Sequence, residues 1–496
     1  MTKKQIAIIG AGPSGCSVLH AFRNHQDQFE FTVFDKQSQM GGLWNFNPET
    51  DIGKNGEPVH NGMYRQLWSN GPKECLEFPD FTFEDCYGKE LPSYPPRAVV
   101  YNYLKTRYER DMKDLMEKSI KFETVVRNVT FSDETQKFSL NYVDLKEEGT
   151  TADNRTIIEQ NDHYDYVFVC SGHYSHPNMI TINNQENFKG QILHAHNFRN
   201  GADYKDKTII TIGSSYSAED IASQCYKLGA KMCYLAAREK PADSTWANYK
   251  WPKDRMLATG MISDFDKDGS TVYFQNSDRY PKISAENVDA VILCTGYKHN
   301  YQFVDQSLRL ESEESLYPPN LYKGLFWNDN PKMIYMGTQS QWYTFTFFEC
   351  QALFAREVLL GNIPLPKSKS DRSQNIDHWL DKMDNHIYKQ GKSAEVQGIY
   401  FQADQMEDYL VDVKKHSNIS YFENIKDISE VHGDNFYDFK NIKIENIMTF
   451  RDKTHFEKRG KRTMAYLVDK ESGEKITWVD NMDDSIDGYL AMTRKD

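Results

Sequence analysis

The feature that most constrains this chain is a glycine turn close to its start. Gln5–Gly10 is an apolar run that reads as a β-strand. It ends in Gly10-Ala11-Gly12-Pro13-Ser14-Gly15, a G-x-G-x-x-G, and Ser14–His25 follows as a helix. A second strand, Phe29–Phe34, then closes on an acid, Asp35. Strand, turn, helix, strand and acid in this order predict a dinucleotide-binding βαβ unit. Gly10 permits the tight turn, Gly12 lets a pyrophosphate approach the backbone, and Gly15 lets helix and strand pack closely. The helix N-terminus favours the phosphates' charge, and Asp35 is placed to hold a ribose 2′-OH. An incidental glycine turn would not account for the acid. Gly41-Gly42-Leu43-Trp44 follows soon after. A double glycine beside an indole suggests a loop against a flat ligand, with a surface turn as the plainer alternative.

A second strand-to-helix turn has the same plan. Thr208–Ile212 runs into Gly213-Ser214-Ser215-Tyr216-Ser217-Ala218. Ser215 and Ala218 occupy the second and third glycine slots, and the serine hydroxyls add donors for phosphate. The next strand, Met232–Ala236, ends near Arg238 and not at an acid. A base there suits a 2′-phosphate, so this turn leans to NADP. Two such turns imply one flavin dinucleotide and one nicotinamide dinucleotide. The pattern alone does not decide which turn takes which.

Composition limits what else the chain can be. At 496 residues it has length for two to four domains, at roughly 150 residues each. Lys plus Arg total 59 against 72 Asp plus Glu, a net charge of −13. That argues against a protein built to grip nucleic acid. No apolar run reaches the ~18 residues of a membrane span. The N-terminal lysines and short apolar run read as a first strand, not a signal peptide. The eight cysteines form no C-x-x-C, so neither a zinc site nor a redox disulfide is expected, and a reducing, cytoplasmic setting is. Strands are also predicted at Tyr164–Cys170, Ala290–Cys294 and Met333–Met336, with helices at Val99–Lys118 and Trp342–Leu360. Lys367–Ser373 reads as a surface linker, and the last ~120 residues show no clear period.

Several longer motifs resemble the flavin-containing monooxygenases. Phe188-Lys189-Gly190-Gln191-Ile192-Leu193-His194-Ala195-His196-Asn197-Phe198 matches that family's F-x-G-x-x-x-H-x-x-x-aromatic motif and lies between the two turns. Leu293-Cys294-Thr295-Gly296-Tyr297 is similar to its A-T-G-Y motif, with Cys294 in place of Ala. Leu67-Trp68-Ser69-Asn70 resembles the segment that places an asparagine at the flavin. Within the family, the stretches Trp68–Phe78, Gly213–Asp220, Tyr249–Pro252, Leu321–Leu325, Gln341–Phe345 and Glu445–Asp452 are most like the bacterial members acting on small tertiary amines.

The resemblance implies an α/β fold of two Rossmann-like domains, the NADP domain (172–286) inserted in the FAD domain (1–171 and 287–496). It implies FAD held by Gly10, Gly12, Ser14, Gly15, Asp35, Leu43, Trp44, His60 and Val126, with Gln341 and Thr344 at the flavin ring. It implies NADP held by Trp68, Ser214, Ser215, Tyr216, Ser217, Arg238 and Arg451. Asn70 would bridge the cofactors as a catalytic residue together with Tyr216, and Trp342 and Tyr216 would wall the substrate pocket. His194 and Phe198 would be scaffold. The implied cycle has NADPH reduce FAD, NADP⁺ stay bound, and oxygen add to the reduced flavin as a C4a-hydroperoxide that oxygenates an amine such as trimethylamine. A soluble homodimer is the expected form. Rivals are a Baeyer–Villiger enzyme, whose motif ends Trp-Pro where this chain has Phe198-Arg199, a disulfide reductase, which lacks its cysteine pair here, and a flavin redox sensor.

Overall fold

The computed structural model describes residues 2–88, 91, 93–146, 155–238, 249–278, 280, 282–312, 317–385 and 394–419, with 443–444, 447–448 and 486–487. Its helices of one turn or more are α1 (Pro13–Phe22), α2 (Lys73–Leu76), α3 (Phe83–Tyr87), α4 (Arg97–Ser119), α5 (Tyr216–Lys227), α6 (Thr344–Leu359), α7 (Lys369–Met383) and α8 (Ala394–Val413).

Two sheets organise the chain. A seven-stranded sheet runs in the spatial order Leu321–Tyr322, Phe326–Trp327, Met333–Tyr335, Tyr166–Val169, Lys4–Ile9, Phe29–Asp35, Ile120–Phe122. From Met333–Tyr335 onward every pairing is parallel. A five-stranded, all-parallel sheet runs Met256–Thr259, Met232–Ala236, Thr208–Ile212, Ala290–Leu293, Gln191–His194. Parallel strands need crossovers that cover the sheet faces, which is why these strands read as unbroken apolar runs. Thr208–Ile212 and Ala290–Leu293 are buried at every position.

The two sheets are copies of one plan. Each has strand, glycine turn, helix, strand, edge strand, then a three-stranded antiparallel sheet, then a return strand beside the first. The antiparallel inserts are Thr124–Ser132, Lys137–Asp144 and Ile158–Tyr164 in one copy, and Ile262–Phe265, Thr271–Phe274 and Ser284–Glu286 in the other. The duplication visible in the glycine turns therefore extends through the whole of each unit. Ala290–Leu293 pairs inside the five-stranded sheet, so that unit runs past residue 286, the boundary expected from the sequence.

Helix α4 starts where Pro96 fixes the backbone at φ −68°. It buries Val99, Val100, Tyr103, Leu104, Tyr108, Met112, Leu115 and Met116 on one stripe, as its spacing predicts. Helix α6 is buried from Phe345 to Glu357 and packs against α1 and α8. Each phenylalanine buried there contributes roughly 1.5–3 kcal/mol.

Three sequence expectations need correction. The predicted strand Tyr164–Cys170 is two strands meeting at Asp165, whose carboxylate accepts from Gln5 N–H at 2.9 Å. The supposed linker at Lys367–Ser373 is the start of α7, where the Ser368 hydroxyl accepts from Asp371 N–H at 3.0 Å. Helix α6 begins at Thr344 and not Trp342, because Tyr343 takes φ −108°, ψ 47°, outside the helical region.

Candidate functional site

The first glycine turn is formed by backbone approach. Gly10 has φ 108°, and a Cβ there would stand 2.5 Å from the Cys170 carbonyl oxygen. The second turn repeats this: Gly213 has φ 141° and faces the Cys294 carbonyl. The hydrogen bonds match as well. Gly10 N–H donates to Phe34 O at 2.8 Å and Gly213 N–H to Ala236 O at 2.9 Å. Cys170 N–H reaches Ile9 O and Cys294 N–H reaches Ile212 O, both at 2.8 Å. Any side chain at Gly10 or Gly213 would break these contacts.

Both turns suit an anion. Neither Gly12 at α1 nor Ser215 at α5 places a side-chain cap on its helix, whereas Thr82 caps α3 with a capping box. At neither helix start does the N-cap residue itself supply a side-chain acceptor to the first-turn amides. The first turn of α1 has no acid. That of α5 has Glu219, which the buried Lys443 neutralises through a direct ion pair. Lys443 also lies 4.5 Å from the Tyr216 ring centroid. Sequence reasoning did not single out Lys443, because it is some two hundred residues from α5.

Several of the expected flavin residues lie around the first turn. Gly42 Cα is 3.4 Å from where a Gly12 Cβ would be, and Gly41 N–H donates to Ala11 O at 3.0 Å. The Gly41–Trp44 loop thus lies on the turn. Asn61 holds it there, donating from Nδ2 to Leu43 O at 3.0 Å and Asn45 O at 2.6 Å. Trp44 meets Phe345 of α6 edge-on at 6.3 Å, which brings the start of α6, with Gln341 and Thr344 beside it, towards the same loop. His60 lies beside Gly172, and burial drops its pKa to about 3. Ser14 is buried, its hydroxyl 3.4 Å from Cys170 O. Val126 is in the antiparallel insert, within a different part of the core.

Asp35 differs from its sequence role in one respect. Its Oδ2 accepts from Ala11 N–H at 2.6 Å and its Oδ1 from Gln37 N–H at 2.7 Å. The carboxylate therefore braces the glycine turn itself. Burial pushes its pKa up to about 6, opposed by these two N–H donors.

Around the second turn, Ser214 and Tyr216 are half-buried, and Ser215 and Ser217 are exposed. Arg238 is exposed two residues past Met232–Ala236. Arg451 and residues 239–248 lie outside the described residues.

One segment connects the two turns. Asn61 is docked on the Trp44 loop, Tyr64 donates from its hydroxyl to Asp220 of α5, and Gln224 of α5 donates to Gln66 O at 2.9 Å. The segment continues through buried Trp68 to exposed Asn70. The F-x-G-x-x-x-H-x-x-x-aromatic motif secures it from below. Phe198 is fully buried against Tyr64 and Tyr204. Arg199 donates to the carbonyls of Glu49, Asn61, His196 and Phe198. His196 Nε2 meets Val59 O at 3.0 Å. Phe198 packs as part of the core here, and Arg199 is the clamp that the motif's own letters leave out.

The Flavin-binding monooxygenase-like family model matches residues 3–265 and 267–428. The chain is 39% identical to the trimethylamine monooxygenase of Methylocella silvestris over 492 residues, covering 98% of each. It is 37% identical to the trimethylamine monooxygenase of Pelagibacter ubique, covering 99% of this chain and 100% of the other. The crystal structure of Tmm from Pelagibacter sp. strain HTCC7211 superposes with a TM-score of 0.80 at 35% identity, covering 98% of this chain and 100% of that one.

Proposed function

We propose that this chain, which belongs to the flavin-binding monooxygenase-like family, uses FAD, NADPH and O2 to convert small tertiary amines, trimethylamine first among them, to their N-oxides. The observation that carries this reading is full-length identity of 37–39% to trimethylamine monooxygenases. A match over both glycine turns and everything between them supports the substrate as well as the fold.

The flavin, when bound and reduced, supplies the activation of oxygen. The chain's residues have other tasks. Gly10, Gly12, Ser14 and Gly15, under the Gly41–Trp44 loop, suit the flavin's pyrophosphate, with the cradle at Gly12 kept open by the absence of a Cβ. The start of α5, which Ser215 leaves uncapped by its own side chain, suits the nicotinamide dinucleotide together with Ser214, Ser215 and Ser217, and Arg238 suits its 2′-phosphate. Asn70, at the end of the segment joining the turns, offers an amide donor and acceptor between the two cofactors. Trp342 and Tyr216 wall the amine subsite with aromatic faces, which suit a methylated ammonium before it sheds its proton. The amine must be neutral to react, so turnover rises with pH as its lone pair becomes available. The unit from 172 through Ala290–Leu293 takes the nicotinamide, and the flanking parts take FAD. Eight free cysteines fit a cytoplasmic enzyme, and the reading includes a homodimer, which light scattering tests. No helix among the described residues is long and apolar enough to cross a membrane.

The test is product analysis by mass spectrometry after incubation with NADPH, air and a mixture of trimethylamine, dimethylaniline and a small thioether. Trimethylamine N-oxide is the expected main product. A kcat/KM for a bulky substrate well above that for trimethylamine would overturn the small-amine assignment.

A further inference from the structure

Trp342 is the penultimate residue of the loop 337–343, Gly-Thr-Gln-Ser-Gln-Trp-Tyr, between the strand Met333–Tyr335 and α6. Two residues of α8 meet it there. Gln402 is 1% exposed. Its Oε1 accepts from Trp342 N–H at 2.7 Å and from Tyr343 N–H at 3.0 Å. Its Nε2 points at Ser340 O, 3.4 Å away. A buried amide is unfavourable unless its hydrogen bonds are made. Here both ends of the side chain go to this one loop. The same two bonds keep Trp342 and Tyr343 out of α6, so the ring leaves the chain from a non-helical backbone.

One turn earlier on the same face of α8 is Gly398. Glycine is a poor residue inside a helix, and this one has a contact to account for it. A Cβ at Gly398 would stand 2.6 Å from Trp342 Cζ2 and 2.7 Å from Cζ3. The indole therefore lies on bare helix backbone. The other end of the loop is held by Gln351 of α6. Its Oε1 accepts from Gly337 N–H at 3.2 Å, and its Nε2 donates to Gln339 Oε1 at 2.9 Å. The loop is thus tied at both ends, and the Trp342 ring rests on α8.

The geometry points to Gln402 and Gly398 as positioning residues that fix the main chain and the ring of Trp342, and through it the size of substrate admitted. This rests on the reading in which Trp342 walls the amine subsite. Gln402 sets the backbone from which the indole departs, and Gly398 sets how far the indole sinks towards α8.

The experiment uses the full-length flavin-loaded enzyme and the variants Trp342→Ala, Gln402→Leu, Gln402→Glu and Gly398→Ala. Steady-state kcat and KM are measured for trimethylamine and dimethylaniline, with flavin bleaching by NADPH followed separately. Amide hydrogen exchange at Trp342 and Tyr343 is read by mass spectrometry. Trp342→Ala raises the ratio of kcat/KM for dimethylaniline over trimethylamine on the order of tenfold. Gln402→Leu moves the ratio the same way, mainly through KM, speeds exchange at both amides and leaves flavin bleaching unchanged. Gln402→Glu keeps the acceptor oxygen but loses the donor to Ser340 O, so its ratio and exchange fall between those of wild type and Gln402→Leu. Gly398→Ala displaces the ring and changes the ratio without speeding exchange. If Trp342→Ala leaves the ratio at the wild-type value, the pocket reading falls. If Trp342→Ala moves it but Gln402→Leu and Gly398→Ala do not, the positioning proposal is overturned. Should Gln402→Leu fail to fold, Gly398→Ala alone decides: an unchanged ratio overturns the proposal, since that change favours the helix.

Discussion

Asp35 shows how one side chain answers to two demands. Its place at the end of a strand reads as a ribose ligand, and the structure has it accepting from Ala11 and Gln37 N–H groups. Each carboxylate oxygen can accept more than one hydrogen bond, so bracing the turn leaves capacity for a hydroxyl. Gly12 is the more stringent position. A Cβ there would sit 3.4 Å from Gly42 Cα, and the branches of valine would press on that loop and fill the cradle. Overpacking of this kind typically costs about 1–3 kcal/mol. Gly12→Val is expected to weaken flavin binding roughly tenfold or more and to yield colourless protein after gel filtration. Stoichiometric FAD in that variant would place the pyrophosphate elsewhere.

Helices α1, α4 and α6 are joined by a buried charge network. His20 of α1 reaches Glu349 of α6 at 2.9 Å through Nδ1 and Asp111 of α4 at 3.0 Å through Nε2. Arg107 of α4, with no solvent exposure, pairs with Asp80 at 2.8 Å and with Glu349 at 3.4 Å. Its guanidinium lies 3.8 Å from the Phe78 ring centroid. Burial alone would raise the pKa of Glu349, but Arg107 and His20 outweigh it and hold the group down near 2. Breaking a buried pair leaves an uncompensated charge and typically costs about 3–5 kcal/mol, while an apolar replacement of the whole pair is often tolerated. Glu349→Ala is therefore expected to lower the apparent Tm sharply, and Glu349→Leu with Arg107→Met to recover part of the loss. Equal Tm values for wild type and Glu349→Ala would show that the network contributes nothing to stability. The network ties the helix behind the first glycine turn to α6, which Trp342 and Thr344 lead into.

At the scale of the whole molecule, neutral histidines, the buried His173 and the half-buried His60 among them, lower the stability as pH falls. Burial lowers His60 and His173 to about 3, assisted by Lys36 and His299 respectively. Both would be protonated below about 6.5 in an unfolded chain. Their stability is therefore complete above that value and is lost as pH falls towards 3, at about 1.4 kcal/mol per pH unit for each. Asp35, raised to about 6, works the other way between its unfolded value near 4 and 6. His194, lowered to about 4, and His196, lowered as well, add to the loss, so a net loss remains in that window despite Asp35. The apparent Tm of the flavin-free protein is expected to fall as pH drops from 6.5 to 4.5, and less steeply in His173→Asn. A flat Tm over that range, or the same slope in the variant, would count against these assignments. The two glycine turns, Asp35, the strands beside them and α4 were legible in the sequence because their signals are local: a positive φ or a close backbone approach admits only glycine, and a half-exposed helix shows its apolar stripe every 3.6 residues. The antiparallel inserts and the return strands were not recognised as a second copy, since sheet order depends on pairings between distant segments. Helix α8 buries Ile399, Gln402, Met406, Tyr409, Leu410 and Val413 at three- and four-residue spacing, a stripe that the polar Gln402 and the buried Phe401 off its face obscure in the sequence. Gln402 and Gly398 have no motif, and their partners are some sixty residues away in the chain. Local backbone geometry and short-range periodicity are written in the order of residues; which buried amide meets which loop is decided only when the helices pack.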